Sequence, residues 1–500
     1  MNRTIRLISV LLCALMILLA FAACANSGGG DTTTAAVDSN AGDVTPEATT
    51  ERLDDFGRPW IDDDLPETLD MGERTFTVHM RGNVEEVEWY APEENGETLN
   101  DAIFKRNTTV ESRYNFKINV IAEGSYKDYD SKAVPKITAS ILSGDGTYDL
   151  LAGYSKVTSL ATSGLLLDLR KLEQINFDKP WWSSNFNEEL SVNGANYFGV
   201  GALSLSMVYS MENIFVNLDI LKDSAGEGYN IYNTVKDHKW TFEEVEARAK
   251  EGWQDKNGNG LVDSQDIIGM GFPDAGNAAN GFMYCTGSKF GYHTDDGGLT
   301  IEGLNLDRTS DVIDACIDLL FKAEGVYPAG STAVDFADGT SLFYFRWLYW
   351  GQTEYALKMD NYGVVPMPML NMDQPDYVTP VQGGMHIYCI PIDVKNIEQN
   401  AIITEALAAE SYRSLLPSYF EIILKTRYAK DMETSQMIDI MYDTVAFDIA
   451  YIYRHNVSYV ESISGIITSR NNTFSSTYKA LKKSASLGFE RLTSDLSPKD

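Results

Sequence analysis

The chain has 500 residues, with 40 basic against 72 acidic side chains and a formal net charge of −32. That balance repels nucleic acid and anionic lipid surfaces, so neither is an expected partner through charge. A chain of this length can bury large cores, and its length favours two or three domains.

At the N-terminus, Arg3 and Arg6 precede an apolar run from Leu7 to Ala20 that is interrupted only by Ser9, and Phe21-Ala22-Ala23-Cys24 follows. A short basic head, an apolar stretch and small residues are the layout of a secretion signal. The segment resembles a bacterial lipobox, with Phe21 where Leu is more frequent. The resemblance implies a leader over residues 1–23, cleavage before Cys24 and a lipid on the Cys24 sulfur. A single spanning helix is the competing use of the run, but no basic stop-transfer cluster follows it. Cleavage removes Arg3 and Arg6 and leaves the chain more acidic still, so membrane attachment must come from the lipid. Residues 24–60 read as a flexible tether. From Ala25 to about Asp55 there is no aromatic residue and too little apolar surface to fold, and a chain of that length spans on the order of 30 Å.

The folded part then alternates between two periodicities. Thr75–Met80 reads as a buried strand, Leu99–Tyr114 as a helix, Phe116–Val120 as a second strand, Ala133–Leu142 as a helix and Tyr148–Ala152 as a strand. This rhythm indicates an open α/β domain. Further on, Thr241-Phe242-Glu243-Glu244 has the form of a capping box opening a helix through Ala249, with Trp240 placed to staple onto Val245. Trp240 is therefore read as structural. In the C-terminal third, Met437, Ile440, Met441 and Val445 keep the spacing of one buried helix face, and Asn400–Leu416 also lacks Gly and Pro.

The sharpest chemical motif runs from Asp255 to Asp266. It places Asp255, Asn257, Asn259, Asp263 and Asp266 at loop positions 1, 3, 5, 9 and 12 with Gly260 at position 6, the spacing that wraps a hard cation in an EF-hand-like loop. Leu261 would add its backbone carbonyl. Asp266 is shorter than the usual Glu, and two early ligands are neutral amides, which lowers the expected affinity. The expectation is a structural Ca2+ ion; a Gly/Asn-rich turn that needs no metal is the alternative.

Signatures of catalysis are missing. There is no His-Glu-x-x-His, Gly-x-Ser-x-Gly, Walker-type or full Gly-x-Gly-x-x-Gly sequence, and the five histidines are scattered at 79, 238, 293, 386 and 455. Acidic pairs are too abundant for any two to single out a glycosidase. Cys285, Cys316 and Cys389 are too widely spaced for a disulfide framework or zinc site, which leaves three buried thiols or one disulfide with one free thiol. Aromatics are the remaining signal. Trp89-Tyr90 and Tyr154 follow strands, Phe282 and Tyr284 follow an Asn/Gly-rich stretch, and Trp347, Tyr349 and Trp350 cluster. Such rings stack on the C–H faces of sugars, and strand ends in α/β lobes are where clefts form.

Five segments in this order carry a family resemblance: Gly164–Leu169, Lys179-Pro180-Trp181-Trp182, Lys239-Trp240-Thr241-Phe242, Tyr362–Pro368 and Glu405–Tyr412. From about Thr75 onward the chain resembles the extracellular solute-binding proteins of ABC importers, the sugar-binding kind related to maltose-binding protein. The resemblance implies a two-lobed, periplasmic-binding-protein-like α/β fold with a hinge and a helical C-terminal region. Lobe 1 would hold residues 70–200 and 332–380, and lobe 2 residues 205–330 and 385–500. Gly199–Met207 and Gln382–Gly384 would lie near the crossings. Trp89, Tyr154, Tyr284, Trp347 and Trp350 fall near the family's ligand-contacting segments, whereas Trp181 and Trp182 match a structural landmark. Leu370 stands where the family usually has Lys. The implied function is that of a monomeric, lipid-anchored receptor on the extracytoplasmic face of a bacterial membrane, with no catalytic activity. It would capture an oligosaccharide and deliver it to the permease of an ABC transporter. An anchored carbohydrate-processing enzyme, or a receptor for peptide or another solute, are the rival readings.

Overall fold

The computed structural model describes residues 52–82, 88–125, 127–327, 334–420, 432–457 and 459–498. The leader, Cys24 and the tether as far as residue 51 lie outside the described residues. Among the described residues no helix is long and apolar enough to cross a membrane.

Two four-stranded sheets divide the molecule into two α/β lobes. In the first, β1 (Arg74–Met80) lies between β2 (Phe116–Ala122) and β3 (Leu150–Gly153), parallel to both. Phe76, Val78 and Met80 fill one face of β1 while Thr77 and His79 are buried on the other, as expected of a strand covered by helices on both sides. Helix α1 (Thr98–Tyr114) and helix α2 (Tyr129–Ser143) end at Asn115 and Gly144 respectively, each in the left-handed conformation that stops a helix. Helix α2 starts four residues before its expected beginning and runs through Pro135.

The second sheet is built around β4 (Glu212–Asn217). Helix α3 (Phe242–Gly252), β5 (Ile268–Gly271) and helix α4 (Ala275–Tyr284) follow it, and the sheet is completed by β6 (Ser341–Trp347) and β7 (Tyr362–Pro366). The strand order is β5-β6-β4-β7, with β4 antiparallel to both neighbours and β5 parallel to β6. Thr241 caps α3 by accepting from the Glu244 amide. Glu244 itself turns away to accept from Tyr229 at 2.8 Å and to pair with Arg248. Trp240 is fully buried and donates to the Pro366 carbonyl at 2.9 Å, which ties the start of α3 to the end of β7.

The threading corrects the expected division of the chain. Residues 332–380 do not join the first lobe, because β6 and β7 both pair with β4 in the second sheet. Conversely, β8 (Ile387–Cys389) closes the first sheet antiparallel to β3, and helix α5 (Ile397–Glu410) packs on α1. The chain passes between lobes through residues 199–211 and 381–388, which are zipped together: Gly199 and Tyr388 exchange backbone hydrogen bonds at 2.9 and 3.0 Å, and Gln382 donates to Ser210 at 2.9 Å. Gly201 has no room for a side chain, since a Cβ would lie 2.0 Å from the Trp181 carbonyl oxygen.

Two further expectations change, and of the two readings of the cysteines the structure has three buried thiols. The tether ends earlier than residue 60: Arg52 lies 3.6 Å over the Trp60 ring, Arg413 covers it at 4.2 Å, and Arg58 donates to the Tyr412 carbonyl at 2.7 Å. Val445 leaves the helical stripe of Met437 and Met441, because the helix ends at Asp443 and Val445 pairs as a strand with Thr379. Cys285, Cys316 and Cys389 are all free and buried. Trp181 and Trp182 are core residues as read, and their indoles donate to the two oxygens of buried Glu405 at 2.8 and 2.9 Å. Burial pushes that acid up to about 7.

Candidate functional site

A cleft of about 840 Å³ opens where the two lobes meet the crossing segments. The first lobe contributes Arg81, which directly follows the last residue of β1. The second contributes Trp347 at the end of β6, the adjacent Tyr349 and Trp350, and Asn277 in the first turn of α4. The crossings add Ser206, Tyr209, Ser210, Gln382 and Gly384. Both strand ends are carboxyl ends, where an open α/β sheet leaves a crevice.

The wall on the second lobe is aromatic. Trp347 and Trp350 meet edge to face at 6.4 Å, Tyr349 meets Trp350 at 6.1 Å, and Tyr209 meets Tyr349 at 6.2 Å. Arg346 lies 3.8 Å over the Trp350 ring and 5.1 Å over that of Trp347, which pins both rings through a cation–π contact. A stretch of π-helix at Gly351–Tyr355 follows immediately, a distortion frequent beside functional sites. The indole N–H of Trp350 is buried and has no hydrogen-bond partner among the described residues. A donor so placed costs free energy unless something in the cleft accepts from it.

The opposite wall is polar and braced from beneath. Arg81 reaches the Gly384 carbonyl at 3.3 Å and lies 5.0 Å over the Tyr154 ring. Behind it, fully buried Glu88 accepts from His386 Nδ1 at 2.6 Å and from the Tyr388 hydroxyl at 3.1 Å, and takes the Ser206 amide on its other oxygen. Burial alone would raise this acid, but His386 and Ser206 hold it below its ordinary value. The network joins the first lobe to both crossings.

The five aromatic candidates separate accordingly. Trp347 and Trp350 come together in the cleft, and Tyr284, at the far end of α4 from Asn277, lines an adjoining cavity. Trp89 does not reach the cleft: it is 1% exposed and its indole N–H is spent on Tyr388 at 2.9 Å. Tyr154 is 2% exposed and lies beneath Arg81 rather than facing the cleft. Arg81, Asn277 and Gln382 were not anticipated as contacts, although position after the first strand would have pointed to Arg81.

The loop after α3 is closed by backbone pairing of Gln254 with Ile267. Asp255 accepts from the Gly258 and Gly260 amides at 2.6 and 2.8 Å, and Asp263 accepts from the side-chain amides of Asn257 and Asn259 at 2.9 and 2.7 Å. Asp266 is committed to the amides of Lys256 and Asp263 and to the Trp253 indole, so it braces the loop. Among the described residues, no group of three or more His, Cys, Asp or Glu side chains is arranged to hold a metal ion.

No protein-family model and no curated protein matches the chain. Solved structures do. A sugar transporter of Rhizobium etli in an open conformation aligns over 83% of this chain and 99% of its own, at 12% identity and a TM-score of 0.55. An ABC transporter solute-binding protein of Thermotoga lettingae, bound with α-D-tagatose, aligns over 83% and 100% at 14% identity and a TM-score of 0.53. The chain has the ABC solute-binding fold. An ABC transporter-associated binding protein of B. animalis subsp. lactis, in complex with β-1,6-galactobiose, aligns over 84% and 98% at 14% identity and a TM-score of 0.51. At such identities the solute-binding fold is what is shared, and the cleft has to be judged on its own residues.

Proposed function

We propose that the chain is a solute-binding receptor that captures an oligosaccharide between its lobes and hands it to an ABC transporter permease. The observation that carries this reading is the makeup of the cleft, in which pinned aromatic faces and the unpartnered Trp350 indole share the space with Arg81, Asn277, Gln382 and two serines. Sugar rings offer C–H faces to stack and hydroxyls to fill such positions. That the Thermotoga and B. animalis structures hold sugars supports it. Among the described residues the cleft lining contains no carboxylate, whereas glycoside hydrolysis uses a pair, which counts against the rival enzyme. A thermal-shift screen against oligosaccharides and peptides tests the reading. Stabilisation by a sugar, abolished in Trp347→Ala, is expected; stabilisation by peptides alone would overturn it.

We also propose that Cys24 carries the lipid that holds the receptor at the membrane surface. The lipobox-like segment and the acidic stretch behind it support this, and a diacylated cysteine suffices for stable anchoring. Cys24→Ala should be unprocessed or released on fractionation, and normal processing with retention would sink the idea. The loop from Asp255 to Asp266 is proposed to take up Ca2+ through Asp255, Asn257, Asn259, Leu261 and Asp263, with Asp266 closing the loop from behind. Its spacing supports this, and an ion bound only by the folded chain would stabilise it. Chelation should then lower Tm in the wild type but not in Asp255→Ala.

A further inference from the structure

Beside the cleft, a second cavity of about 730 Å³ runs along α4, and its lining is of a different kind. Tyr284, Phe447, Tyr451, Val381 and Ile452 make most of its walls apolar, and two acids, Glu212 and Asp448, are set into them. Glu212 is buried on β4 opposite Trp347, and its Oε2 has no hydrogen-bond partner among the described residues. Gly281 of α4 leaves the room it occupies, since a Cβ there would lie 2.5 Å from Oε2.

Among the described residues no cation pairs with this carboxyl. The ammonium of Lys289, also in the lining, is turned to Glu189 at 2.7 Å. Asp448 adds a second acid, itself saturated by the amides of Phe290, Gly291 and Ala450, and the nearby Cys285 thiol is held neutral by burial. Burial pushes Glu212 up to about 8, so it holds a proton at neutral pH. The surroundings are therefore mainly apolar and aromatic, with two acids, the already paired Lys289, Asn280 and Ser288, inside a chain whose net charge is already −32. A polyhydroxylated sugar would find few partners on these walls, whereas an apolar group ending in a cation would find both a hydrocarbon lining and a counter-charge.

We propose that this cavity seats an apolar group bearing a protonated amine, with the ammonium against Oε2 of Glu212. This deepens the receptor reading, on which it rests for the premise that the chain captures a molecule, and it makes the captured ligand larger than a plain sugar. The proton balance is explicit. As the ammonium docks, Glu212 ionises and gives its proton to solvent, while the amine keeps its own.

The test uses benzylamine and benzyl alcohol, which match in shape and differ in charge, in calorimetry on the mature chain at pH 7. Benzylamine should bind at least about tenfold more tightly, the size of one charge-assisted hydrogen bond over a neutral one. Heats in two buffers of different ionisation enthalpy should show about one proton released per amine bound. Glu212→Gln should erase both the preference and the proton release with an unchanged circular dichroism spectrum. Val378→Phe, which fills the cavity from its half-exposed rim, should block both probes and serves if Glu212→Gln does not fold. Equal binding of the two probes, no binding of benzylamine, or a preference that survives Glu212→Gln would each overturn the proposal. Amine binding without any sugar binding sinks the receptor reading's choice of solute, and sugar binding without amine binding sinks this inference alone.

Discussion

Trp89 and Trp350 are the same residue type, each at the end of a strand-bearing segment of an α/β lobe, yet they have opposite surroundings. The Trp89 indole N–H donates to Tyr388, its ring is covered by Arg106 at 4.7 Å, and it is 1% exposed. Trp350 is half-buried, its ring is covered by Arg346, and its N–H has no partner among the described residues. A cation over the ring is common to both and so distinguishes nothing. What separates a core tryptophan from a binding tryptophan here is whether its one polar atom is satisfied within the protein.

The sharpest way to break that comparison is truncation on the core side. Trp89→Ala should cost about 3–5 kcal/mol of stability, the range for removing a buried tryptophan, because Tyr388 loses its donor and Arg106 its cover. Urea unfolding followed by circular dichroism measures it. A loss under about 1 kcal/mol would mean that Trp89 is not a core residue and that its contacts with Tyr388 carry no weight.

A second core pair extends the contrast to pH. Glu405 holds Trp181 and Trp182, and burial pushes it up to about 7 from an ordinary 4.5. Between those values the folded protein keeps a proton that the unfolded chain has released, so stability from this group is present below 4.5 and is lost as pH rises through 7. The slope is about 1.4 kcal/mol per pH unit for a fully developed shift, on the order of 3 kcal/mol across the window. Glu405→Gln should start lower, because an amide cannot accept from both indoles, and should flatten that part of the stability profile. An unchanged slope in the variant would assign it to other buried acids.

How far such distinctions could be read in advance depends on how local they are. The strands at residues 74–80 and 116–122 and the helix between them were legible because alternation and helical spacing are properties of a few consecutive residues. The division into lobes was misread because Ser341–Trp347 is apolar enough for either sheet, and its true partner, Glu212–Val216, lies over a hundred residues earlier. Trp89 was misassigned for the same reason: the hydroxyl that satisfies it belongs to a residue 299 positions away. Arg81 was missed for a different one. A single guanidinium after a strand carries no local pattern that marks it, although it is as well placed as an aromatic ring to meet a sugar.

On the cleft side, Trp347→Ala should leave the fold intact and weaken oligosaccharide binding by roughly 1–3 kcal/mol, as for truncation of a stacked contact at a binding hot spot. Calorimetry with a sugar identified by screening gives the number. Loss of the fold together with binding would move Trp347 into the same class as Trp89.

The smallest effect isolates the N–H itself, by making the same edit at both positions. Trp350→Phe keeps a ring under Arg346 and removes the donor. With the indole unpartnered inside the protein, stability should hold or rise slightly, since a buried unsatisfied group has been deleted. Sugar binding should weaken by about 0.5–1.5 kcal/mol, the net worth of one ordinary hydrogen bond. Trp89→Phe should do the reverse, lowering stability while leaving the sugar's affinity unchanged, because the acceptor it abandons is Tyr388 rather than a ligand. The two variants measured side by side, each by unfolding and by calorimetry, give four numbers with a crossed pattern. If both variants lose stability and neither loses affinity, the Trp350 indole is serving the protein, and the partner it lacks is not the sugar.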